Sequence, residues 1–299
     1  MQNKKSLKDE IQVVNTLSEL IKTYEEVYML KMYRTRNSVV NTRDYYTRIL
    51  KLYQEIKLSY KQDVLSKVED KKKDQNVLIK NDKQVAVFIS GDDRFAGEIN
   101  KKVFFEYIEY FRLNKPDLVV IGLIGKNLMA QRFSSLKFKY FNLTEDFGVS
   151  STEELKPIVD YLISYTDVRV FYGQFENMMK QVPKNSSITG DLTDLTSIKK
   201  KKENAEQDKS YFLSEPSLFE ILTFFETQIF ASLFKRGVEE ATLAQIGARV
   251  STLESSVYSI DKRLNLLRFQ NLKSNKHMKN KKQQGLLVGI NFWEGQNAR

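Results

Sequence analysis

The C-terminal third of the chain has the most regular pattern of apolar residues. They recur at alternating steps of four and three, at Ile246, Val250, Leu253, Val257, Ile260, Leu264 and Leu267. These steps are typical of the seam of a coiled coil. A helix from about residue 218 to about residue 282 would be on the order of 100 Å long, at about 1.5 Å per residue. We therefore predict a coiled-coil helix over residues 213–284, followed by a tail at 285–299.

The N-terminal part of the chain shows the same spacing less completely. Its apolar residues recur at steps of three and four, at Val14, Leu17, Ile21, Tyr24 and Tyr28. No glycine occurs before Gly91, and the four prolines all lie in the middle of the chain. Because glycine and proline are the main helix breakers, we predict a second coiled-coil helix over residues 1–67, with Val14, Leu17 and Ile21 in its seam. The two end helices are expected to pair in antiparallel orientation.

The middle of the chain alternates between two kinds of pattern. Three short apolar runs are typical of buried strands, namely Val85–Ile89, Leu118–Gly122 and Val168–Tyr172. Helical spacing separates them, from Ile99 to Phe111 and from Leu155 to Ile163. This alternation predicts an α/β fold, a small doubly wound and largely parallel sheet over residues 83–212, inserted between the coiled-coil helices. Residues 138–141 are a candidate for a further strand, and the polar residues 186–210 are interpreted as a loop.

Composition excludes several classes of chemistry. The chain of 299 residues has no cysteine and one histidine, His277. Disulfides, zinc–thiolate sites and cysteine nucleophiles are therefore excluded, and Ser-His-Asp triads and sites with several histidine ligands nearly so. The net charge of +10 suggests an anionic partner. No apolar run approaches the roughly 20 residues needed to cross a bilayer, and no secretory signal is expected.

A nucleotide site is the first function to test in a parallel sheet. Residues 122–127 contain a Gly-Lys pair, but they lack the spacing and the hydroxyl residue of a phosphate-binding loop. Residues 90–97 lie between a strand and a helix, where Asp92 and Asp93 would repel an anion; a carboxylate pair for acid–base or magnesium chemistry is the alternative. A solvated turn fits these residues better. We expect no catalytic, metal or cofactor site, and no nucleic-acid binding, because the basic clusters lack interleaved aromatic residues.

The turn after the first strand carries a family resemblance. The stretch Val85–Phe104 resembles the strand, "DRGLCGGLN" turn and following helix of the gamma subunit, the central shaft, of F-type ATP synthases. The matching positions are Asp93, Arg94, Gly97, Asn100 and Phe104. Ala96 and Glu98 depart from the glycines and cysteine of that turn.

Further stretches resemble the same family in the same order. Leu118–Gly122 is similar to its "MIGSKG" strand, and Val170–Pro183 to its "YNKFINTMSQ-P" segment. Tyr211, Glu215 and Pro216 match its "Y-EP" entry to the last helix. Glu226–Phe230 is similar to "ESQIY", and Asn15–Lys31 to the "NTQKITKAME…K" helix with one inserted residue. The resemblance therefore covers nearly the whole chain.

The last helix departs most from the family pattern. Its "RM-AM--AT-NA" stretch is only partly present at residues 246–254, and residues 271–284 are rich in lysine where the family has "RQ--IT-E". Because these regions contact the partner subunits in the family, divergent partners are expected. A paralogous, mycoplasma-type ATP-driven motor therefore stands beside the housekeeping synthase as an interpretation.

The resemblance implies a shaft that couples rotation to ATP synthesis or hydrolysis in a surrounding catalytic hexamer and has no active site of its own. It implies alternating nucleotide-binding subunits as partners, which bind ATP, ADP and magnesium, together with an epsilon-like subunit and a membrane rotor ring or its replacement. The implied location is peripheral, on the cytoplasmic face of the cell membrane. A coiled-coil scaffold or adaptor with an unrelated α/β domain is the alternative.

The resemblance also implies roles for individual residues. Contacts to the catalytic hexamer are expected from Lys22, Glu25, Lys31, Arg249, Glu254, Lys262, Arg263 and Arg268. A bearing tip is expected at Leu286, Leu287, Val288 and Ile290, and a foot at Asp93, Arg94, Gly97 and Asn100.

Overall fold

The computed structural model describes residues 4–65, 81–92, 97–133, 135–143, 152–189 and 218–297. The chain divides into two compact units, and the division falls within both long helices. Unit 1 comprises Met1–Val27 and Ser251–Arg299, and unit 2 comprises Tyr28–Val250. Each unit is described by itself.

The helices and strands follow the chain in an α/β order. The described helices are α1 (Lys4–Leu65), α2 (Ile99–Asn114), α3 (Leu123–Arg132), α4 (Thr152–Leu162) and α5 (Leu218–Asn297). The described strands are β1 (Asn81–Ile89), β2 (Asp117–Ile121), β3 (Lys139–Phe141), β4 (Tyr165–Asn177) and β5 (Lys180–Ser187). The parallel strands alternate with helices, as the sequence pattern predicts.

The five described strands form one sheet in the order β3-β2-β1-β4-β5. β1 pairs in parallel with both β2 and β4, with Val87 opposite Val119 on one side and Val170 on the other. β3 is also parallel to β2, whereas β5 is antiparallel to β4. The chain therefore winds outward from β1 in both directions, which is the doubly wound topology.

Each face of the sheet is covered by helices. On one face Val85 and Val87 pack with α4 and with Phe230, Phe234 and Val238 of α5. On the other face Ala86 and Phe88 pack with α2 and α3, and the ring of Phe88 stacks on Tyr107 at a centroid distance of 5.5 Å. The alternation of residues 85–88 between the two faces is why this strand reads as a continuous apolar run.

Within unit 2, α1 and α5 run antiparallel. The Tyr53 hydroxyl donates to Glu226 at 3.0 Å, Ser38 donates to Glu239 at 2.7 Å, and the Arg249 guanidinium lies 4.5 Å from the centre of the Tyr28 ring. Residue numbers thus rise along one helix as they fall along the other. Tyr46, Ile49 and Tyr53 pack with Ile229 in a small core of their own.

Within unit 1, α1 and α5 pack against each other along a heptad seam. Leu7, Leu264 and Leu267 are buried, and Val14 and Ile21 are half-buried. Val257 and Ile260, predicted in the seam of α5, are also half-buried. Charged pairs accompany this seam, Lys22 with Asp261 and Arg263 with Glu10, as is usual in coiled coils.

One predicted seam residue is wrong, and the correction reveals the register. Leu17 is 45% exposed, whereas Ser18 is 5% exposed and takes the seam position. Tyr24 is exposed in the same way, and Glu25 is half-buried beside it. At these two places the seam of α1 therefore contains Ser18 and Glu25, each one residue after the apolar residue that was predicted there.

The end of the sheet also differs from the sequence interpretation. Ser186 and Ser187 belong to β5 and not to a loop. The remainder of the predicted loop, from residue 190, lies outside the described residues. Polar side chains carry no strand signal here, because β5 is at the edge of the sheet and is held by its hairpin partner β4.

Candidate functional site

The carboxyl ends of β1 and β4 form the crevice in which doubly wound sheets bind ligands, because the strand order reverses there. In this protein α5 fills that crevice. The Gln245 side chain lies so close to Gly91 that a Cβ on Gly91 would collide with it. A Cβ on Gly173 of β4 would lie 3.3 Å from the Cβ of Ala244 and 2.7 Å from Ile99 Cγ1. Gly91, just after β1, and Gly173, in β4, thus allow the side chains of α5 to approach the backbone of the sheet closely.

Further along α5 the contact is equally close, but here the glycine is on the helix and the bulky side chain is on the sheet. A Cβ on Gly247 would lie 2.6 Å from Cε2 of the Phe175 ring. All side chains from Ala241 to Val250 are buried. We call this contact the helix clamp and define it by Gly91, Gly173, Phe175, Gln245 and Gly247. It fixes a stretch of α5 against the sheet without a ligand between them.

The first turn of α3 is likewise occupied by protein groups. The Asp92 carboxylate accepts a hydrogen bond of 2.6 Å from the Leu123 backbone N–H. The Ser90 hydroxyl accepts from the Gly125 N–H at 2.8 Å and donates to the Ile121 carbonyl at 2.8 Å. The N–H groups that would cradle a phosphate at a helix N-terminus are therefore already bonded. This supports the interpretation of residues 122–127 as a strand-to-helix turn.

Three charged side chains are buried between α1 and α5 in unit 2. Glu239 is 1% exposed and Arg249 is 5% exposed. Glu226 is also buried, and it receives the hydrogen bond from Tyr53. Burial, followed by the charge of Glu226 and this hydrogen bond, raises the pKa of Tyr53 above its ordinary value. Arg249 was predicted to contact a partner, and its burial corrects that prediction, because the side chain lies inside this chain against Tyr28.

The other predicted partner contacts lie mostly on the edges of the helix pair. In unit 1, Lys22 lies 3.9 Å from Asp261, and Arg263 donates to Glu10 at 2.7 Å. Arg268 donates to Asn15 at 3.4 Å. Glu254 and Lys262 are exposed. In unit 2, Lys31 lies 5.2 Å from the centre of the Tyr28 ring.

The predicted tip and foot are only partly described. Leu286 and Leu287 are 68% and 61% exposed, and the side chains of Val288 and Ile290 lie outside the described residues. At the foot, Asn100 is buried and Gly97 has φ of 58°, a left-handed conformation that favours glycine. Asp93 and Arg94 lie outside the described residues.

An exposed apolar stripe on α1 was missed by the sequence analysis. Its members lie one residue before the seam and repeat with the same heptad spacing: Val13, Leu17, Leu20, Tyr24 and Val27. We call this set the outer stripe. The signal was present in the sequence as a second apolar heptad. The two heptads were taken as one, because Leu17 and Tyr24 of the outer stripe were counted together with the seam residues Val14, Ile21 and Tyr28.

Metal-ligand clusters and membrane-spanning helices are both absent from the described part of the chain. Among the described residues, no group of three or more histidine and carboxylate side chains could hold a metal ion. None of the described helices has an apolar stretch that could span a bilayer.

The fold and the filled crevice define a class: a pair of long antiparallel helices that carries a doubly wound α/β sheet, as in the central shafts of rotary ATPases. The family model described as ATP synthase matches residues 3–276. The chain belongs to this family and is a central-shaft, or gamma, subunit of the rotary ATP synthase type.

Individual relatives agree with this membership over most of their length. The ATP synthase gamma chain of Buchnera aphidicola subsp. Schizaphis graminum is 26% identical, with 84% of this chain and 87% of the relative covered. That of Bdellovibrio bacteriovorus is 22% identical, with 89% and 90% covered. The central stalk/c-ring structure of Tetrahymena thermophila mitochondrial ATP synthase has the same fold, with a TM-score of 0.54 and 16% identity, over 79% of this chain and 99% of that one.

Proposed function

We propose that this subunit turns inside a ring of alternating nucleotide-binding subunits and couples its rotation to ATP chemistry there, with no active site of its own. The observation that carries the proposal is the outer stripe. Five apolar residues on a helix that is already paired are each between 45% and 66% exposed. An apolar stripe with heptad spacing is typical of a surface that packs against a partner.

The filled crevice supports the absence of an active site. In the proposed complex, ATP, ADP and magnesium are bound by the partner subunits, and α5 takes the place of a ligand against the sheet. An asymmetric helix pair contacts each ring subunit differently, so each orientation favours a different conformation of each nucleotide site. This is coupling by differential binding.

The proposed location follows from the same assembly. The subunit is peripheral, on the cytoplasmic face of the membrane, through an epsilon-like subunit and a membrane rotor ring or its replacement. The complex is thus membrane-associated through its partners.

An affinity-tagged full-length chain, purified from its native host after gentle extraction, tests the assembly. The expected result is co-purification of two different nucleotide-binding subunits, each in several copies per copy of this chain, with ATPase activity in the complex. Recovery of the chain alone, or with partners that bind no nucleotide, would support the scaffold alternative.

A dedicated ATP-driven motor is the second candidate function. It is favoured by residues 271–284 of the last helix, which are rich in lysine where they depart from the family pattern, because a different sequence there implies a different partner. Inverted membrane vesicles distinguish the two. A synthase would acidify the vesicle lumen on ATP addition, and a dedicated motor would hydrolyse ATP without acidification.

A further inference from the structure

The helix clamp holds α5 from more than one direction. Ala244, Gln245 and Gly247 meet the sheet within one turn of the helix. At about 100° per residue, the directions of these three residues span an arc of about 160° around the helix axis. Gln245 lies against Gly91, which follows β1, whereas Gly247 lies against Phe175 of β4. At this level the sheet therefore contacts α5 from two nearly opposite directions.

The two contacts interlock in opposite senses. At Gly91, a side chain of the helix fills space beside the sheet, because a Cβ on Gly91 would collide with the Gln245 amide. At Gly247, the ring of Phe175 on the sheet fills space that a glycine leaves on the helix. Closely packed groups of this kind cannot pass one another unless their neighbours move. A turn of α5 about its own axis would therefore press Gln245 or Phe175 against backbone.

N-terminal to the clamp, α5 contacts the sheet in a different way. Phe230, Phe234 and Val238 pack there in the apolar core. Apolar packing is non-directional, so it holds the helix on the sheet without fixing the angle of the helix closely. The clamp thus adds a constraint on rotation that the apolar core lacks.

The clamp also lies at the end of unit 2 along α5. All side chains from Ala241 to Val250 are buried, and unit 2 ends at Val250. Gly247 lies three residues before that end. A torque that passes along α5 from unit 1 therefore reaches the clamp before it reaches the apolar core.

We propose that the helix clamp is a rotational lock that carries torque between α5 and the sheet, with Phe175 as its positioning residue. The inference rests on the proposed function and adds to it the contact that makes the helix and the sheet turn together. Removal of the Phe175 ring opens space beside Gly247 and lets α5 turn against the sheet. The ring is only half-buried, so F175A leaves the buried core of the sheet in place.

Rotation of the purified complex under viscous load tests the lock. The ring subunits are fixed to a surface, and a bead is attached through a biotinylated side chain that replaces Lys102, which is exposed on α2. ATP should turn the bead in the otherwise wild-type complex. In the F175A complex the bead should lose most of its torque while ATP hydrolysis continues, because α5 turns without the sheet. F175L, which keeps an apolar side chain, should show a smaller loss.

The matched control is F105A, which removes a ring of the same size from the exposed side of α2. Phe105 is 58% exposed and lies outside the clamp. The F105A complex should keep the wild-type torque.

A reversible disulfide separates a lock from a general loss of structure. The chain has no cysteine. A Cβ on Gly173 would lie 3.3 Å from the Cβ of Ala244, close to the Cβ separation of about 3.5–4.5 Å in disulfides. The torque of F175A/G173C/A244C should be low after reduction and should return to the wild-type value after oxidation. G173C/A244C, which retains Phe175, should give equal torque in both states and controls for crowding of Ile99 by the new side chain.

The outcomes separate the lock from the proposed function. Wild-type torque in F175A, an equal loss in F105A, or a loss that the disulfide does not restore would overturn the rotational lock. The shaft function would stand in each of these cases, because the wild-type bead turns. A wild-type bead that does not turn with ATP, or a chain that recruits no nucleotide-binding subunit, would contradict the proposed function itself.

Discussion

Gly247 and Gly237 lie on the same helix but in different surroundings, so they separate helix propensity from packing. A Cβ on Gly237 would have one neighbour, Tyr172 Cε1, at 3.9 Å, which is an ordinary contact. A Cβ on Gly247 would lie 2.6 Å from the Phe175 ring. Alanine is favoured over glycine within a helix by about 1 kcal/mol, whereas overpacking costs about 1–3 kcal/mol.

We expect G237A to stabilise the protein by up to about 1 kcal/mol and G247A to destabilise it by about 1 kcal/mol net. The measurement is the urea midpoint followed by far-ultraviolet circular dichroism, with both variants in the same buffer. Equal effects of the two substitutions would show that the helix clamp has no close contact at Gly247.

Tyr53 makes the stability of the antiparallel helix pair depend on pH. Its side chain is 2% exposed and donates to Glu226. Burial and the Glu226 charge raise its pKa above the ordinary value of about 10. The folded state therefore holds the phenol proton more tightly than the unfolded state. This contribution is fully present below about pH 10 and is lost as the pH rises further.

We expect Y53F to weaken the alkaline loss of stability. Above about pH 10, the wild type should lose stability more steeply than the variant, by up to about 1.4 kcal/mol per pH unit for one proton. At neutral pH the variant should be less stable by about 1–3 kcal/mol, because buried Glu226 loses this donor. Unfolding midpoints from pH 7 to pH 11 check both statements, and parallel curves would contradict the link to Tyr53.

At the scale of elements, the sequence predicted best where burial alone decides the structure. The apolar runs around Val87, Val119 and Val170 lie in adjacent parallel strands, as predicted from their composition. β5 was missed because residues 180–187 are polar and contain Pro183. Its strand state comes from pairing with β4, a long-range contact that no local pattern carries.

The register of α1 could not be read from local hydrophobicity, because two heptads overlap there. Every seventh residue from Leu7 is buried or half-buried, through Val14 and Ile21 in unit 1 and from Tyr28 to Ile56 in unit 2. This repeat includes the polar residues Thr35 and Thr42. A search for apolar residues alone therefore does not detect it. The helix clamp could not be predicted from the sequence either, since it depends on contacts of glycines that are far apart in the chain.

The polar seam position at Ser18 predicts a gain in stability on substitution. Ser18 is 5% exposed, and its contact with Asp261 is long, at 3.5 Å. We expect S18V to stabilise unit 1 by about 1 kcal/mol, since a β-branched apolar residue suits a buried seam position. T16V on the exposed side of the same helix should change stability little. Hydrogen exchange of α1 amides measures both, and lower protection in S18V would show that the serine hydroxyl is needed in the seam.

At the scale of the whole molecule, the outer stripe predicts how the isolated chain behaves. A contiguous exposed apolar stripe favours self-association in the absence of its partner. We expect the purified chain to form concentration-dependent oligomers, and L17E/L20E to shift it towards the monomer. Both residues are about half exposed, so the charges meet water and leave the seam intact.

Light scattering coupled to size-exclusion chromatography measures this shift, and L113E on α2 is the matched control, because Leu113 is 78% exposed and lies outside the outer stripe. The same L17E/L20E chain should fail to co-purify with nucleotide-binding subunits, whereas L113E should retain them. Normal assembly of L17E/L20E would mean that the ring does not contact the outer stripe. The outer stripe would then have no part in the assembly, and other exposed surfaces of the helix pair would have to hold the shaft in the ring.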